Sequence, residues 1–230
     1  MDIGGFQKNS MIDYPNQIAC VIFTSGCNFQ CPYCHNPSLV NRTAKPVSQR
    51  TIFSFLKKRE LLDGVVITGG EPTIQKDLIS FCQKIKETGF SLKLDTNGSN
   101  PDVLKELFKQ KLIDFTAMDV KTDLKNYNFL AGKKFDPQKI KASINLIMKK
   151  SPDYEFRTTC LKPFVDEKII ENIGKLISGA KQYALQPCSE KISQMMTPDF
   201  FKTKDRFLTK QELSSIAVKV EFYVQKCLIR

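Results

Sequence analysis

Ala19–Asn36 reads ACVIFTSGCNFQCPYCHN. Its first six residues are an apolar, β-branched run of strand length, and the polar, Gly- and Pro-containing stretch behind them is a loop. The same succession recurs down the chain. Further strand-like runs are Gly64–Thr68 (GVVIT), Ser91–Thr96 (SLKLDT), Phe115–Val120 (FTAMDV), Glu155–Cys160 (EFRTTC) and Gln182–Gln186 (QYALQ), with a weaker one at Val224–Ile229. Between them, helical spacing of apolar residues marks Thr51–Arg59, Lys76–Thr88, Asp102–Gln110, Pro137–Lys150, Glu167–Leu176 and Lys210–Phe222. Ser48 and Asp166 stand where helix N-caps are expected, Thr209 and Glu212 match a capping box, and Gly89 and Gly179 are natural helix stops.

Strand-then-helix units in succession predict an α/β fold with a parallel sheet. Six units fall short of a closed eight-stranded barrel, so the expectation is an incomplete (β/α)6 TIM-like barrel, open along one side with its helices outside. No linker, low-complexity tract or internal repeat divides residues 1–230. They read as one domain, with a core over about 17–190 and a C-terminal helix and strand over 209–230. In this architecture ligands bind at the C-terminal ends of the strands.

The chain has 230 residues, 41% of them hydrophobic and 26% charged, which excludes a disordered, collagen-like or mini-protein chain. No apolar run approaches the roughly 18 residues of a membrane span, and no basic-then-apolar leader opens the chain. A soluble, cytoplasmic protein without a membrane partner is expected. The formal net charge of +11 comes from scattered pairs such as Lys57-Lys58, Lys133-Lys134 and Lys149-Lys150 rather than one stripe. A solvated surface is therefore read ahead of a nucleic-acid face, and an acidic electron-transfer protein is a fitting partner.

Five of the eight cysteines (Cys20, Cys82, Cys160, Cys188 and Cys227) stand alone in apolar or mixed segments and read as small buried hydrophobes. Cys27, Cys31 and Cys34 cluster with C-x3-C-x2-C spacing in the loop behind the first strand run. Three thiolates in one loop can converge on a compact centre, and soft thiolates select zinc, copper(I) or iron–sulfur clusters. A cubane wants four protein thiolates, so a three-cysteine loop leaves one iron open, as catalytic rather than structural centres do. Two alternatives compete. Cys31 and Cys34 alone form a glutaredoxin-like dithiol, and His35 could complete a Cys3His zinc site, although adjacent residues reach one metal with difficulty. Gly69-Gly70-Glu71-Pro72 follows the second run, where the glycines let backbone approach a ligand closely. Asp95-Thr96-Asn97-Gly98 and Met118-Asp119-Val120-Lys121 follow the next two. Side by side, Asp95 and Asp119 repel unless a cation or proton intervenes. Arg157, inside a strand run, must reach water, a carboxylate or a ligand; a contact with cofactor or partner is read ahead of structural pairing.

The cysteine triplet together with Gly69-Gly70-Glu71 resembles the radical S-adenosylmethionine (SAM) superfamily. Ser10–Pro15 (SMIDYP), Ser25–Asn28 (SGCN) and Cys31–Pro37 (CPYCHNP) narrow the resemblance to activating proteins of glycyl radical enzymes, the anaerobic ribonucleoside-triphosphate reductase activating proteins above all. The resemblance implies an oxidoreductase in which Cys27, Cys31 and Cys34 bind a 4Fe-4S cluster and S-adenosyl-L-methionine chelates the fourth iron. Its reductive cleavage gives methionine and a 5′-deoxyadenosyl radical, which takes a hydrogen from a glycine loop of the partner reductase. It further implies that Tyr33 and His35 touch adenine, that Gly69 and Gly70 receive the methionine ammonium with Glu71 in support, and that Thr96, Asn97, Lys121 and Arg157 complete the cofactor site. Asp95 and Asp119 would hold a monovalent cation, as in the formate-lyase activator. Gln186-Pro187 stands where that activator has a histidine, so its adenine contact does not transfer. The 34 residues from His35 to Thr68 contain no cysteine and leave no room for a ferredoxin-like insert, so one cluster is expected. A flavodoxin or ferredoxin would supply the electron. Alternatives are the activator of another glycyl radical enzyme, such as pyruvate formate-lyase, and a small-molecule enzyme resembling 7-carboxy-7-deazaguanine synthase. A thiol oxidoreductase and a zinc-stabilised nucleic-acid module belong to other classes.

Overall fold

Strand runs and helical runs fall where the apolar periodicity places them in a computed structural model that describes residues 1–59, 61–202 and 206–230. The strands are β1 (Ile3–Ser10), β2 (Ala19–Thr24), β3 (Gly64–Gly69), β4 (Ser91–Thr96), β5 (Phe115–Asp119), β6 (Asp153–Cys160), β7 (Tyr183–Pro187) and β8 (Cys227–Ile229). The helices are α1 (Pro37–Val40), α2 (Gln49–Leu56), α3 (Leu78–Glu87), α4 (Pro101–Lys109), α5 (Tyr127–Ala131), α6 (Gln138–Lys150), α7 (Glu167–Leu176) and α8 (Lys210–Glu221). Ser48 accepts from the Thr51 amide, Asp166 from that of Ile169, and Thr209 with Glu212 closes the expected capping box.

The eight strands lie in sequence order across one sheet, and every pair from β2 to β8 is parallel. Right-handed crossovers between successive neighbours keep all helices on one face, so the sheet curls toward a barrel instead of reversing at a switch point. The order ends at β8 without returning to β1, which leaves the barrel open and incomplete. β1 was not expected from the sequence. It pairs antiparallel with β2, and its residues IGGFQKNS are mostly half-buried or exposed, as on a sheet edge, so no apolar run announces it.

Alternate residues of each strand face two different environments. Cys20, Ile22, Val65, Ile67, Leu92 and Leu94 pack outward with the helices in the main core. Ala19, Val21, Val66, Phe115 and Ala117 fill the concave side together with Tyr14. The concave side also carries buried charges. Lys93 is 2% exposed and Glu155 1% exposed, with Glu155 receiving Arg230 from beyond β8 at 2.6 and 3.0 Å. Among the described residues no helix is long and apolar enough to cross a membrane.

Candidate functional site

The loop behind β2 is turned back on itself by α1, where the Gly26 amide donates to the Leu39 carbonyl at 2.7 Å. It thereby sets Cys27, Cys31 and Cys34 along one wall of a cleft of about 870 Å³, open mouth included, at the C-terminal ends of the strands. Gly69, Gly70 and Glu71 from β3, Asp95 to Asn97 from β4, Asp119 and Lys121 from β5, and Arg157 from β6 line the same cleft. All eight cysteines are free. Burial pushes the Cys31 thiol up to about 12, and burial followed by the Glu71 charge pushes Cys27 up to about 11. A dithiol oxidoreductase needs the opposite, a depressed thiol in an exposed position. Two donors approach the Cys27 sulfur, the Phe29 amide at 3.4 Å and the Asn97 side chain at 3.9 Å, as suits a metal-bound thiolate. Among the described residues no three His, Cys, Asp or Glu side chains converge as a lone ion requires; the thiols instead line the wall of a larger space.

The glycine pair serves first to bring the chain close to itself. Gly69 has φ +113°, and a Cβ there would meet the Thr24 backbone, while a Cβ on Gly70 would overlap the Gly26 carbonyl. In that space the Gly70 amide donates to the Thr24 carbonyl and the Glu71 amide to the Gly26 carbonyl, each at 2.9 Å. The glycine-rich rim and the cysteine loop are thus one hydrogen-bonded unit.

Glu71 is fully buried and braces the next strand end. Its carboxylate accepts from the Thr73 amide at 3.0 Å, the Thr73 hydroxyl at 2.6 Å, the Thr96 hydroxyl at 2.8 Å and the Asn97 amide at 2.6 Å. Burial pushes its pKa up while these donors pull it down. Asn97 in turn donates to the Asn28 side chain at 2.9 Å, which ties the β4 end to the cysteine loop. Glu71→Gln keeps the shape but sets an NH2 group against donors, which should cost about 2 kcal/mol of stability in urea unfolding. A loss under about 0.5 kcal/mol would show that the four bonds are replaceable.

Between the two rim carboxylates lies a guanidinium. Arg157 Nε donates to Asp119 at 2.8 Å and its Nη1 to Asp95 at 3.3 Å, so it pairs within the site while also lining the cleft. Lys121 donates to Asp119 at 3.1 Å, with its side chain 15% exposed. Burial would raise both acids, but Arg157 with Lys93 holds Asp95 below its usual range, and Arg157 with Lys121 does the same to Asp119.

Tyr33 is 4% exposed, and its hydroxyl, in the cleft wall, has no partner among the described residues. His35 sits exposed at the mouth, its pKa lowered by partial burial and by Lys191. Gln186 ends beside Thr159 at the β6–β7 pairing and is not part of the cleft lining. Sequence reasoning missed Thr68 and Thr159, which line the cleft two residues from Gly70 and Arg157; strand alternation was the available signal. It also missed the segment after β7, where the Met196 amide donates to Cys34 at 2.9 Å and the Thr197 amide to Pro32 at 3.1 Å. Phe200 stacks there on Phe164, which meets Tyr33 at 5.7 Å between ring centroids.

Residues 21–176 match the model of the radical SAM superfamily. A protein of Methanocaldococcus jannaschii assigned as a glycyl-radical enzyme activating enzyme is 39% identical over 189 residues, 80% of this chain and 78% of its own. The pyruvate formate-lyase-activating enzyme of Clostridium pasteurianum is 29% identical over 139 residues, 57% of each chain. Among solved structures, SuiB of Streptococcus suis bound to its precursor peptide SuiA superposes with a TM-score of 0.68 at 18% identity, over 90% of this chain and 48% of that one. That likeness is one of fold.

Proposed function

The chain belongs to the radical SAM superfamily and to its glycyl-radical enzyme activating enzymes, and from that premise we propose that it installs the glycyl radical of an anaerobic ribonucleoside-triphosphate reductase. One observation carries the assignment of the site: three free thiols and the Gly69-Gly70 rim share one cleft and are bonded to each other through Gly26. The residues fit the groups that the family uses. The donor set is soft and one short of a cubane's four, and the orphaned Tyr33 hydroxyl offers a buried polar contact. Cys27, Cys31 and Cys34 would hold one 4Fe-4S cluster. Gly69, Gly70, Thr96 and Asn97 would form the wall for the amino-acid end of S-adenosylmethionine, Lys121 would face its carboxylate, and Tyr33 and His35 would lie on its adenine side. When bound, the cluster and S-adenosylmethionine supply a 5′-deoxyadenosyl radical by one-electron reductive cleavage of the sulfonium.

The chain's own part is to position and to exclude. The segment after β7 covers the cysteine loop from outside, and the open side of the barrel leaves a path for a glycine loop to enter. Tight closure over the cleft keeps water and bystander groups from the radical. An acidic flavodoxin or ferredoxin would suit the basic surface as electron donor.

Anaerobic reconstitution followed by iron and 5′-deoxyadenosine measurements on wild type and Cys31→Ala tests the site. The expected loss of deoxyadenosine is at least about 10³-fold, the scale of removing a central catalytic group. Equal yields would end the assignment. Electron paramagnetic resonance then identifies the target: a glycyl signal with the anaerobic reductase and none with formate lyase is expected. The similarity to pyruvate formate-lyase-activating enzyme favours the reverse pattern as the second reading. Cleavage with neither signal would point to a small-molecule substrate.

A further inference from the structure

Asp95 and Asp119 end adjacent strands, and both line the cleft. Each of their four carboxylate oxygens already accepts from a cationic side chain. Asp95 Oδ1 accepts from Lys93 Nζ at 2.6 Å and Oδ2 from Arg157 Nη1 at 3.3 Å. Asp119 Oδ1 accepts from Arg157 Nε at 2.8 Å and Oδ2 from Lys121 Nζ at 3.1 Å. Three cations thus alternate with two anions in one continuous chain of contacts, Lys93–Asp95–Arg157–Asp119–Lys121. A dissolved cation entering here would compete with a resident cation at every carboxylate oxygen and meet three positive neighbours, so these residues do not fit the monovalent-cation site implied by the resemblance.

Lys93 is the member that nothing else explains. It is 2% exposed, stands two residues before Asp95 on the concave face of β4, and lies 5.9 Å above the Phe115 ring, below the cleft and outside its lining. An ammonium so deep in a fold persists only when paired, and its one ionic partner among the described residues is Asp95. Were it absent, Asp95 would have Arg157 alone, and Arg157 would be drawn off Asp119 toward it, leaving Lys121 as the sole counter-ion of Asp119 and pulling it back from the cleft.

We infer that Lys93 is the resident counter-ion of the two rim aspartates, replacing a dissolved monovalent cation, and that as a positioning residue it holds Lys121 toward the cleft through Asp95, Arg157 and Asp119. The part given to Lys121 rests on the proposal that S-adenosylmethionine occupies this cleft; the exclusion of a dissolved cation does not.

Two measurements on wild type, Lys93→Met and Lys93→Arg test both parts. In the first, ²³Na line broadening is recorded without any ligand. Wild type and Lys93→Arg should show no competable sodium binding, and Lys93→Met should show it, displaced by potassium. Competable binding to wild type would overturn the counter-ion assignment. In the second, S-adenosylmethionine binding to the reconstituted protein is followed by calorimetry in choline, sodium and potassium chloride at equal ionic strength. Wild type and Lys93→Arg should bind alike in all three, within about twofold. Lys93→Met should bind about tenfold weaker in choline and recover in sodium or potassium. Unchanged binding by Lys93→Met in choline would overturn the positioning role, as would weak binding that neither ion restores, which marks a packing defect. Failure of wild type to bind S-adenosylmethionine would overturn the functional proposal and with it the role of Lys121, leaving the sodium measurement to decide the counter-ion.

Discussion

Arg157→Leu should lower the free energy of unfolding of the metal-free protein by about 3 kcal/mol, the low end of what breaking a buried ion pair costs. The low end applies because each carboxylate retains one lysine, Asp95 with Lys93 at 2.6 Å and Asp119 with Lys121 at 3.1 Å. What is lost is the group that separates two acids whose side chains are 13% and 30% exposed. Arg157→Lys should recover only part of the loss, since an ammonium cannot present the two directed N–H groups that now reach both carboxylates. Urea unfolding measures both. The pH dependence adds a sign. Asp95 and Asp119 are held below the ordinary carboxylate range by the surrounding cations despite burial. Their contribution is therefore complete above the unfolded-state value of about 3.9 and is lost as pH falls below it. Without Arg157 their folded-state pKa values rise toward the unfolded-state value, and the acid limb of the stability curve should become shallower. An unfolding midpoint and acid limb unchanged from wild type would refute this account of the network.

Gly70→Ala should be nearly as costly, about 3 kcal/mol, and should also halve or worse the iron retained after anaerobic reconstitution. The added Cβ would overlap the Gly26 carbonyl, a backbone atom next to Cys27 that cannot turn aside as a side chain could. To relieve the overlap the cysteine loop must move off the β3 end, breaking the Glu71 amide bond to the Gly26 carbonyl. Gly89→Ala is the control. Its φ of +89° disfavours alanine but a Cβ there meets nothing within 4 Å, so it should cost about 1 kcal/mol and leave iron binding alone. Equal iron retention in the two variants would show that the Gly70–Gly26 contact does not position the thiols.

The alternation of strands and helices, the caps at Ser48, Asp166 and Thr209, and the three-cysteine loop at a strand's C-terminal end are all legible in the amino-acid sequence. Each is written within a few consecutive residues, where side-chain chemistry acts directly on local backbone. Strand alternation also put Leu92 and Leu94 on one face and Lys93 and Asp95 on the other. It could not show that the second face is the inside of a curled sheet rather than solvent, because curvature belongs to the whole strand order. The folded chain alone shows that Arg157 meets Asp119 across 38 residues and Asp95 across 62, and that Gly70 makes room for the Gly26 carbonyl. The polar edge strand β1 and the cover over Cys34 escaped for the same reason: their pattern carries no signal until the neighbour that pairs with them is in place.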